Sequence, residues 1–233
     1  MRSVYLTADT INGIVKKIEK RYVQDKLKDG DTLIVNIKKS QINDLPIKNN
    51  DLYKKYFENM DKRWTKKNND WYFSYYRRLI EKRFGISQFE QAIESLCLNG
   101  LTRRSVLCAS DILDNELYRP ALLTISFSIR NKKLDMIVHW RSQELFYAFP
   151  INTIVMYSFE KIFLKKLKSF YKFIEFGEYI QYVDNVCVHA TINKEMVKIQ
   201  DIWKQIDYSL ENELCFMWSI IKKNKEDEYD ENY

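Results

Sequence analysis

The chain has 233 residues, 45% of them hydrophobic and 15% aromatic, and its formal net charge is +6. This length and composition fit one folded domain of ordinary size and exclude a largely disordered chain. The excess of basic residues favours anionic ligands through long-range attraction, but it does not distinguish a nucleotide from a nucleic acid.

The N-terminal part of the chain is predicted to contain a helix over residues 9–27, where apolar residues recur at helical spacing. Residues 32–37 form a short β-rich run, and a polar helix is predicted at residues 52–64. Between residues 48 and 83, basic residues alternate with aromatic ones, and such a pattern can follow a phosphate backbone and stack bases. The favoured interpretation is an amphipathic segment, because no known nucleic-acid motif accompanies the charge.

The middle of the chain is predicted to contain a capped helix followed by three strands. Ser87 and Glu90 have the spacing of a capping box, and Asn99-Gly100 is a typical helix end. The strand-like runs are apolar and β-branched, and they cover residues 104–110, 122–130 and 133–142. Asn131-Lys132 is short enough to be a hairpin turn between the last two.

The C-terminal part is predicted to contain a long helix, a strand and a second helix, at residues 151–173, 179–192 and 203–221. The charged residues 222–233 are expected to be a disordered tail. Several consecutive strands flanked by long helices predict an α+β fold, with one domain over residues 1–221.

The cysteines are too far apart in sequence for a metal-binding motif, and they are Cys97, Cys108, Cys187 and Cys215. Free thiols in a reducing compartment are therefore the favoured interpretation. The N-terminus lacks the long apolar segment of a signal peptide, and no run of about 18 apolar residues occurs. We therefore expect a cytoplasmic protein without metal or membrane association.

A family resemblance is carried mainly by the stretch from Leu134 to Asn152. This stretch combines a predicted strand ending in Arg141-Ser142 with a Pro150-x-Asn152 motif at the start of a long helix. It resembles the segment of thymidylate synthases and pyrimidine-nucleotide hydroxymethylases in which an Arg-Ser pair holds the nucleotide phosphate and an asparagine pairs with the pyrimidine. The similarity extends over roughly residues 72–192, about half of the chain.

The resemblance implies roles for individual residues. Arg141 and Ser142 match the phosphate ligands, and Glu144 takes the place of a family aspartate near the base and the cofactor. Asn152 matches the residue whose amide, both donor and acceptor, pairs with the pyrimidine edge. Taken alone, Asn152 could equally be a helix N-cap, and Arg141 could be an ordinary charge at a strand end.

A second part of the resemblance is the arginine pair Arg103-Arg104. In the family, an adjacent arginine pair reaches across the dimer interface to the neighbouring subunit's nucleotide phosphate, and guanidinium groups match phosphate oxygens well. The resemblance therefore implies a homodimer. The alternative is that Arg103 and Arg104 are ordinary surface residues.

The chain departs from the family at the nucleophile. Twenty positions before Arg141, where the family carries Pro-Cys-His, this sequence has Pro120-Ala121-Leu122. Family chemistry adds a thiolate to C6 of the ring, and Ala121 has no sulfur. Cys108 on the preceding predicted strand is a candidate for a relocated nucleophile. The family's His-x-Tyr contact to the ribose is also not recognisable.

Three hypotheses for the function follow. The first is a thymidylate synthase-like protein that binds a pyrimidine nucleoside 5′-monophosphate, such as dUMP or dCMP, and has lost cysteine-dependent one-carbon transfer. The second is an active methyltransferase or hydroxymethylase with a relocated nucleophile or different chemistry, which would use methylenetetrahydrofolate if the family chemistry survives. The third is an RNA- or DNA-binding protein that uses residues 48–83.

Overall fold

The computed structural model describes residues 2–38, 75–81, 85–111, 120–146 and 148–188. The strands and helices in this part of the chain are β1 (Ser3–Ala8), α1 (Ile11–Val23), β2 (Thr32–Ile37), α2 (Tyr75–Leu79), α3 (Gln88–Leu98), β3 (Val106–Cys108), β4 (Leu122–Arg130), β5 (Lys133–Glu144), α4 (Ala148–Leu167) and β6 (Glu175–Cys187).

The described strands form one six-stranded mixed sheet in the order β1-β2-β6-β5-β4-β3. The pairs β1/β2 and β5/β6 are parallel, and the other three pairs are antiparallel. Parallel neighbours need a crossover connection, and α1 and α4 provide the two crossovers. Since β6 follows α4 and lies beside β5, α4 runs opposite to β5 and in the same direction as β4.

The helices form a layer on one face of the sheet. Helix α1 packs on β1 and β2, α3 packs on β3 and β4, and α4 lies between them over β5 and β6. The core fills the space between α4 and the sheet, where Phe163 stacks on Phe127 with ring centroids 3.8 Å apart and Phe89 meets Phe163 edge-on. The protein is thus a mixed α+β domain of two layers, as the sequence predicts at this level.

The opposite face of the sheet carries no helix of the described part of the chain and is partly apolar. Tyr5, Val106 and Tyr182 are 58%, 41% and 39% exposed on it. His139 and Asp184 are hydrogen-bonded there, with 2.8 Å between Nε2 and Oδ1. We call this surface the open sheet face.

Several local predictions are confirmed. Strands β2 and β4 have the predicted bounds, and the Ser87 hydroxyl caps α3 by accepting a hydrogen bond from the Glu90 amide at 3.4 Å. The predicted hairpin between β4 and β5 turns at Asn131 and Lys132, whose φ angles are +51° and +61°. Both residues occupy the left-handed region that a two-residue type I′ turn requires.

Other elements differ from the prediction. Strand β1 was not predicted, because its six residues are stabilised by pairing with β2, 29 positions later. Strand β3 covers only Val106–Cys108, and β6 begins at Glu175 and ends at Cys187. Helix α4 begins three residues before the predicted start and ends at Leu167. The helices predicted at residues 52–64 and 203–221, most of the 48–83 segment and the 222–233 tail lie outside the described residues.

In the described part of the chain, no helix is long and apolar enough to cross a membrane.

Candidate functional site

The start of β4 and the end of β5 meet at Ala121 and Arg141. The Arg141 amide donates to the Ala121 carbonyl at 2.9 Å, and the Arg141 Nε donates to the Pro120 carbonyl at 3.0 Å. Ser142 follows on β5, is half-buried and pairs with Asn185 of β6. The structure therefore brings together the two segments that the resemblance assigns to the nucleophile position and to the phosphate.

The alternation of buried and exposed residues is interrupted at this point in both β5 and β6. In β5 every second residue is buried up to Trp140, and the burial then resumes at Gln143. In β6 the same change lies between Val183 and Val186. Because Trp140 pairs with Val183 and Gln143 with Val186, the interruptions in the two strands lie side by side in the sheet. Arg141 directly follows the buried Trp140 and is exposed on the same side of β5 as His139, just before the interruption.

The Glu144 side chain caps the N-terminus of α4. Its carboxylate is buried and accepts hydrogen bonds from the amides of Phe146 at 3.0 Å and Ala148 at 3.1 Å. It thereby satisfies amides at the N-terminus of α4, where a negative charge is also favoured by the helix dipole. This cap explains why α4 begins at Ala148 and not at the predicted Ile151.

Asn152 is not a helix N-cap, so the alternative role considered for it from the sequence is wrong. It is the fifth residue of α4, and only 4% of its surface is exposed. Among the described residues, its Oδ1 has no hydrogen-bond donor within reach. A buried acceptor without a partner costs roughly 1–3 kcal/mol, so this amide is a candidate for contact with a ligand.

The periodicity of α4 locates Asn152 over the start of β4. Asn152 shares one face of the helix with Phe159 and Phe163, which both stack on Phe127 of β4. It lies roughly 10–17 Å before them along the helix axis. Leu122 lies roughly 17 Å before Phe127 along β4, which runs in the same direction. Asn152 is therefore level with the beginning of β4, where Ala121 meets Arg141.

Arg103 and Arg104 lie far from this junction within one chain. Both are exposed in the loop between α3 and β3, and the register of β3 on β4 places Arg104 level with Ser128. Ser128 pairs with Asp135 of β5, which is six residues from Arg141. That separation is roughly 20 Å, so the arginine pair and Arg141 of one chain do not surround the same phosphate.

Cys108 and the helix layer lie on opposite sides of the sheet. Its neighbours Leu107 and Ala109 are buried towards the helices, whereas Cys108 is exposed and pairs with Thr124. Ala121 is three residues before Thr124, roughly 10 Å along the strand. The thiol of Cys108 thus points away from the side on which Asn152 lies.

A second thiol, Cys187, lies beside the end of β5. It pairs with Glu144, and its carbonyl accepts a hydrogen bond from the Leu145 amide at 3.0 Å. Burial raises the pKa of the Cys187 thiol, and the carboxylates of Glu144 and Asp29 raise it further. A thiol with a raised pKa forms little thiolate, so Cys187 is not an activated nucleophile.

Tyr75 is the contact at this junction that sequence reasoning missed. Its hydroxyl accepts a hydrogen bond from the Leu122 amide at 3.3 Å, and its ring meets that of Trp140 edge-on at 6.4 Å. The amphipathic interpretation of residues 48–83 places aromatic side chains in the core, but with only five residues in α2 it does not indicate which strands Tyr75 contacts.

The described residues include no group of three or more side chains that could hold a metal ion. Neither a scan against protein-family models nor a search of curated proteins finds a match for this chain. The structure shows a mixed α+β domain in which the start of β4 and the end of β5 meet at Ala121 and Arg141. The resemblance to thymidylate synthases depends on the sequence motifs around Arg103, Ala121, Arg141 and Asn152.

Proposed function

We propose that the protein binds a pyrimidine nucleoside 5′-monophosphate at the junction of Ala121 and Arg141, with Asn152 of α4 level with this end of the sheet, and that it has lost cysteine-dependent one-carbon transfer. The observation that carries the proposal is the pair of hydrogen bonds from Arg141 to the Pro120 and Ala121 carbonyls. They join two motifs that the family uses around one nucleotide, although the motifs are twenty positions apart in this sequence.

The side chains at the junction suit the two ends of such a ligand. Arg141 is exposed, and a guanidinium group forms strong charge-assisted hydrogen bonds with phosphate oxygens. The Ser142 hydroxyl can add a further hydrogen bond. Asn152 is buried in the helix layer at the same end of the sheet, and its Oδ1, unpaired among the described residues, can pair with a donor on the pyrimidine edge.

The proposed function is nucleotide binding without one-carbon transfer, because the described thiols do not suit covalent catalysis. Ala121 has a methyl group at the nucleophile position, Cys108 pairs with Thr124, roughly 10 Å along β4 from Ala121, and the pKa of Cys187 is raised. 5-Fluoro-dUMP with methylenetetrahydrofolate should therefore give no covalent complex in denaturing mass spectrometry. Trapping of the fluoronucleotide would contradict the loss of chemistry, and Cys108→Ser would then be the first variant to examine.

We propose further that two copies form a homodimer through the open sheet face. Arg103 and Arg104 are roughly 20 Å from Arg141 of their own chain, so they could approach its phosphate only from a second copy. The open sheet face exposes large apolar side chains, and its His139 and Asp184 side chains hydrogen-bond each other. Such a surface suits a self-complementary two-fold interface.

A thermal-shift screen tests the binding proposal. Binding to the folded state raises the melting temperature by mass action. We expect dUMP or dCMP to raise it, and deoxyuridine, deoxycytidine and dAMP to have little effect, because phosphate and pyrimidine are both required. Equal shifts with all nucleotides would indicate nonspecific anion binding, and no shift with either pyrimidine monophosphate would contradict the proposal.

A further inference from the structure

Tyr75 touches both strands that form the proposed nucleotide site. On β4 its hydroxyl accepts the hydrogen bond of the Leu122 amide, directly after Ala121. On β5 its ring packs edge-on against Trp140, directly before Arg141. Tyr75 is only 3% exposed, so these contacts lie in the core beneath the site.

We infer that Tyr75 is a positioning residue that keeps the start of β4 and the end of β5 in the register that sets Ala121 beside Arg141. This inference rests on the proposed function. The pairing of β4 with β5 is irregular here, because the register shifts between Leu122 and Thr124. A shifted register leaves the Leu122 amide to be satisfied by a side chain, and Tyr75 supplies the acceptor.

The consequence for Arg141 is geometric. Its Nε donates to the Pro120 carbonyl, so the orientation of the guanidinium depends on where the Pro120–Leu122 segment lies. If that segment moves, Arg141 loses its fixed position, and a displacement of well under a hydrogen-bond length weakens a bidentate phosphate contact. Tyr75 thus acts on the ligand through Arg141 and does not touch it.

The variant Tyr75→Phe keeps the ring against Trp140 and removes only the hydroxyl. We expect it to weaken dUMP binding about tenfold, which corresponds to about 1.4 kcal/mol. The matched control is Tyr171→Phe, which removes a hydroxyl that donates to the Leu96 carbonyl at 2.7 Å, at the other end of α4. The control should leave the affinity within about twofold of the unmodified protein, since distant sites act independently.

A purely structural role would lower stability without coupling to Arg141. In the Arg141→Ala background, Tyr75→Phe should therefore cause little further loss of affinity, because both changes remove the same contact. Additive losses would overturn the inference, as would an unchanged affinity of Tyr75→Phe in a folded protein that binds dUMP.

A second experiment uses no nucleotide, so it tests the positioning role of Tyr75 independently of the proposed function. In the Ala121→Cys variant, the rate at which iodoacetamide alkylates the new thiol depends on its access and on the nearby Arg141 charge. Peptide mass spectrometry should show that adding Tyr75→Phe changes this rate several-fold, whereas adding Tyr171→Phe does not. Changed rates in a protein that binds no nucleotide would leave Tyr75 as the positioning residue and refute the proposed function. Equal rates would overturn the positioning role.

Hydrogen exchange on the unmodified protein covers the case in which Tyr75→Phe does not fold. The Leu122 amide, held by the Tyr75 hydroxyl, should exchange as slowly as the Ile125 amide in the middle of β4. Fast exchange at Leu122 would show that the hydrogen bond is absent and would overturn the inference.

Discussion

Arg141 is the residue whose substitution should affect nucleotide binding most. A charge-assisted contact that is lost with its partner left buried costs roughly 2–5 kcal/mol, and the exposure of Arg141 favours the lower end of this range. We expect isothermal titration calorimetry to show this loss for Arg141→Ala and a smaller one for Arg141→Lys, which keeps the charge but not the planar group. Unchanged affinity in folded Arg141→Ala would show that Arg141 is only a surface charge.

Glu160 on α4 gives the fold a pH dependence. It is fully buried, and the described residues offer neither oxygen of its carboxyl a hydrogen-bond partner. Burial raises the pKa of Glu160 well above its ordinary value of 4.5, and the negative charge of Asp135 raises it further. The folded state therefore holds the proton more tightly than the unfolded chain does.

The sign of the effect follows from this difference. The contribution of Glu160 to stability is fully present below pH 4.5 and is lost as the pH rises towards the folded-state pKa. The expected slope in that window is about −1.4 kcal/mol per pH unit. In urea unfolding at a series of pH values, the difference in unfolding free energy between the unmodified protein and Glu160→Gln should change with this slope, whereas the curve of Glu178→Gln, at a half-buried position, should run parallel to that of the unmodified protein. Parallel curves for all three proteins would refute the assignment.

At the scale of secondary structure, local patterns predicted the elements that are stabilised locally. The alternation of Leu122–Arg130 and the Ser87 capping box are sequence-local signals, and both are present in the structure. The start of α4 was mispredicted because its amides are satisfied by Glu144, which belongs to the preceding strand. Tyr75 could not be predicted, since its role depends on contacts with residues 47 and 65 positions later.

The backbone of Lys132, in the turn between β4 and β5, has an unfavourable conformation that glycine would adopt at a lower cost. Lys132 has a φ of +61°, a left-handed conformation that costs a residue with a Cβ roughly 1–2 kcal/mol. Lys132→Gly should therefore stabilise the protein by roughly 0.5–1 kcal/mol after the entropy of glycine is counted. The control Lys133→Gly, at the first position of β5, should destabilise it. Urea denaturation measures both, and destabilisation by Lys132→Gly would contradict the turn geometry.

At the scale of the whole molecule, the proposed dimer predicts which surface must stay apolar. Tyr182 lies on the open sheet face, and Leu98 at the end of α3 is 81% exposed on the helix side. Tyr182→Glu should convert the dimer into a monomer, because it places an unpaired charge in the interface, whereas Leu98→Glu should not. Multi-angle light scattering distinguishes the two states. A stable monomer of the unmodified protein at micromolar concentration would refute the dimer.

A crystal structure of the protein with bound dUMP or dCMP would show where the nucleotide lies. We expect the phosphate against Arg141 and Ser142, the pyrimidine edge against the Asn152 amide, and the ring beside the methyl group of Ala121 without a covalent bond. We also expect the partner subunit's Arg103 and Arg104 near the phosphate. A nucleotide bound away from Arg141 and Asn152, or covalently attached to the protein, would contradict the proposed site.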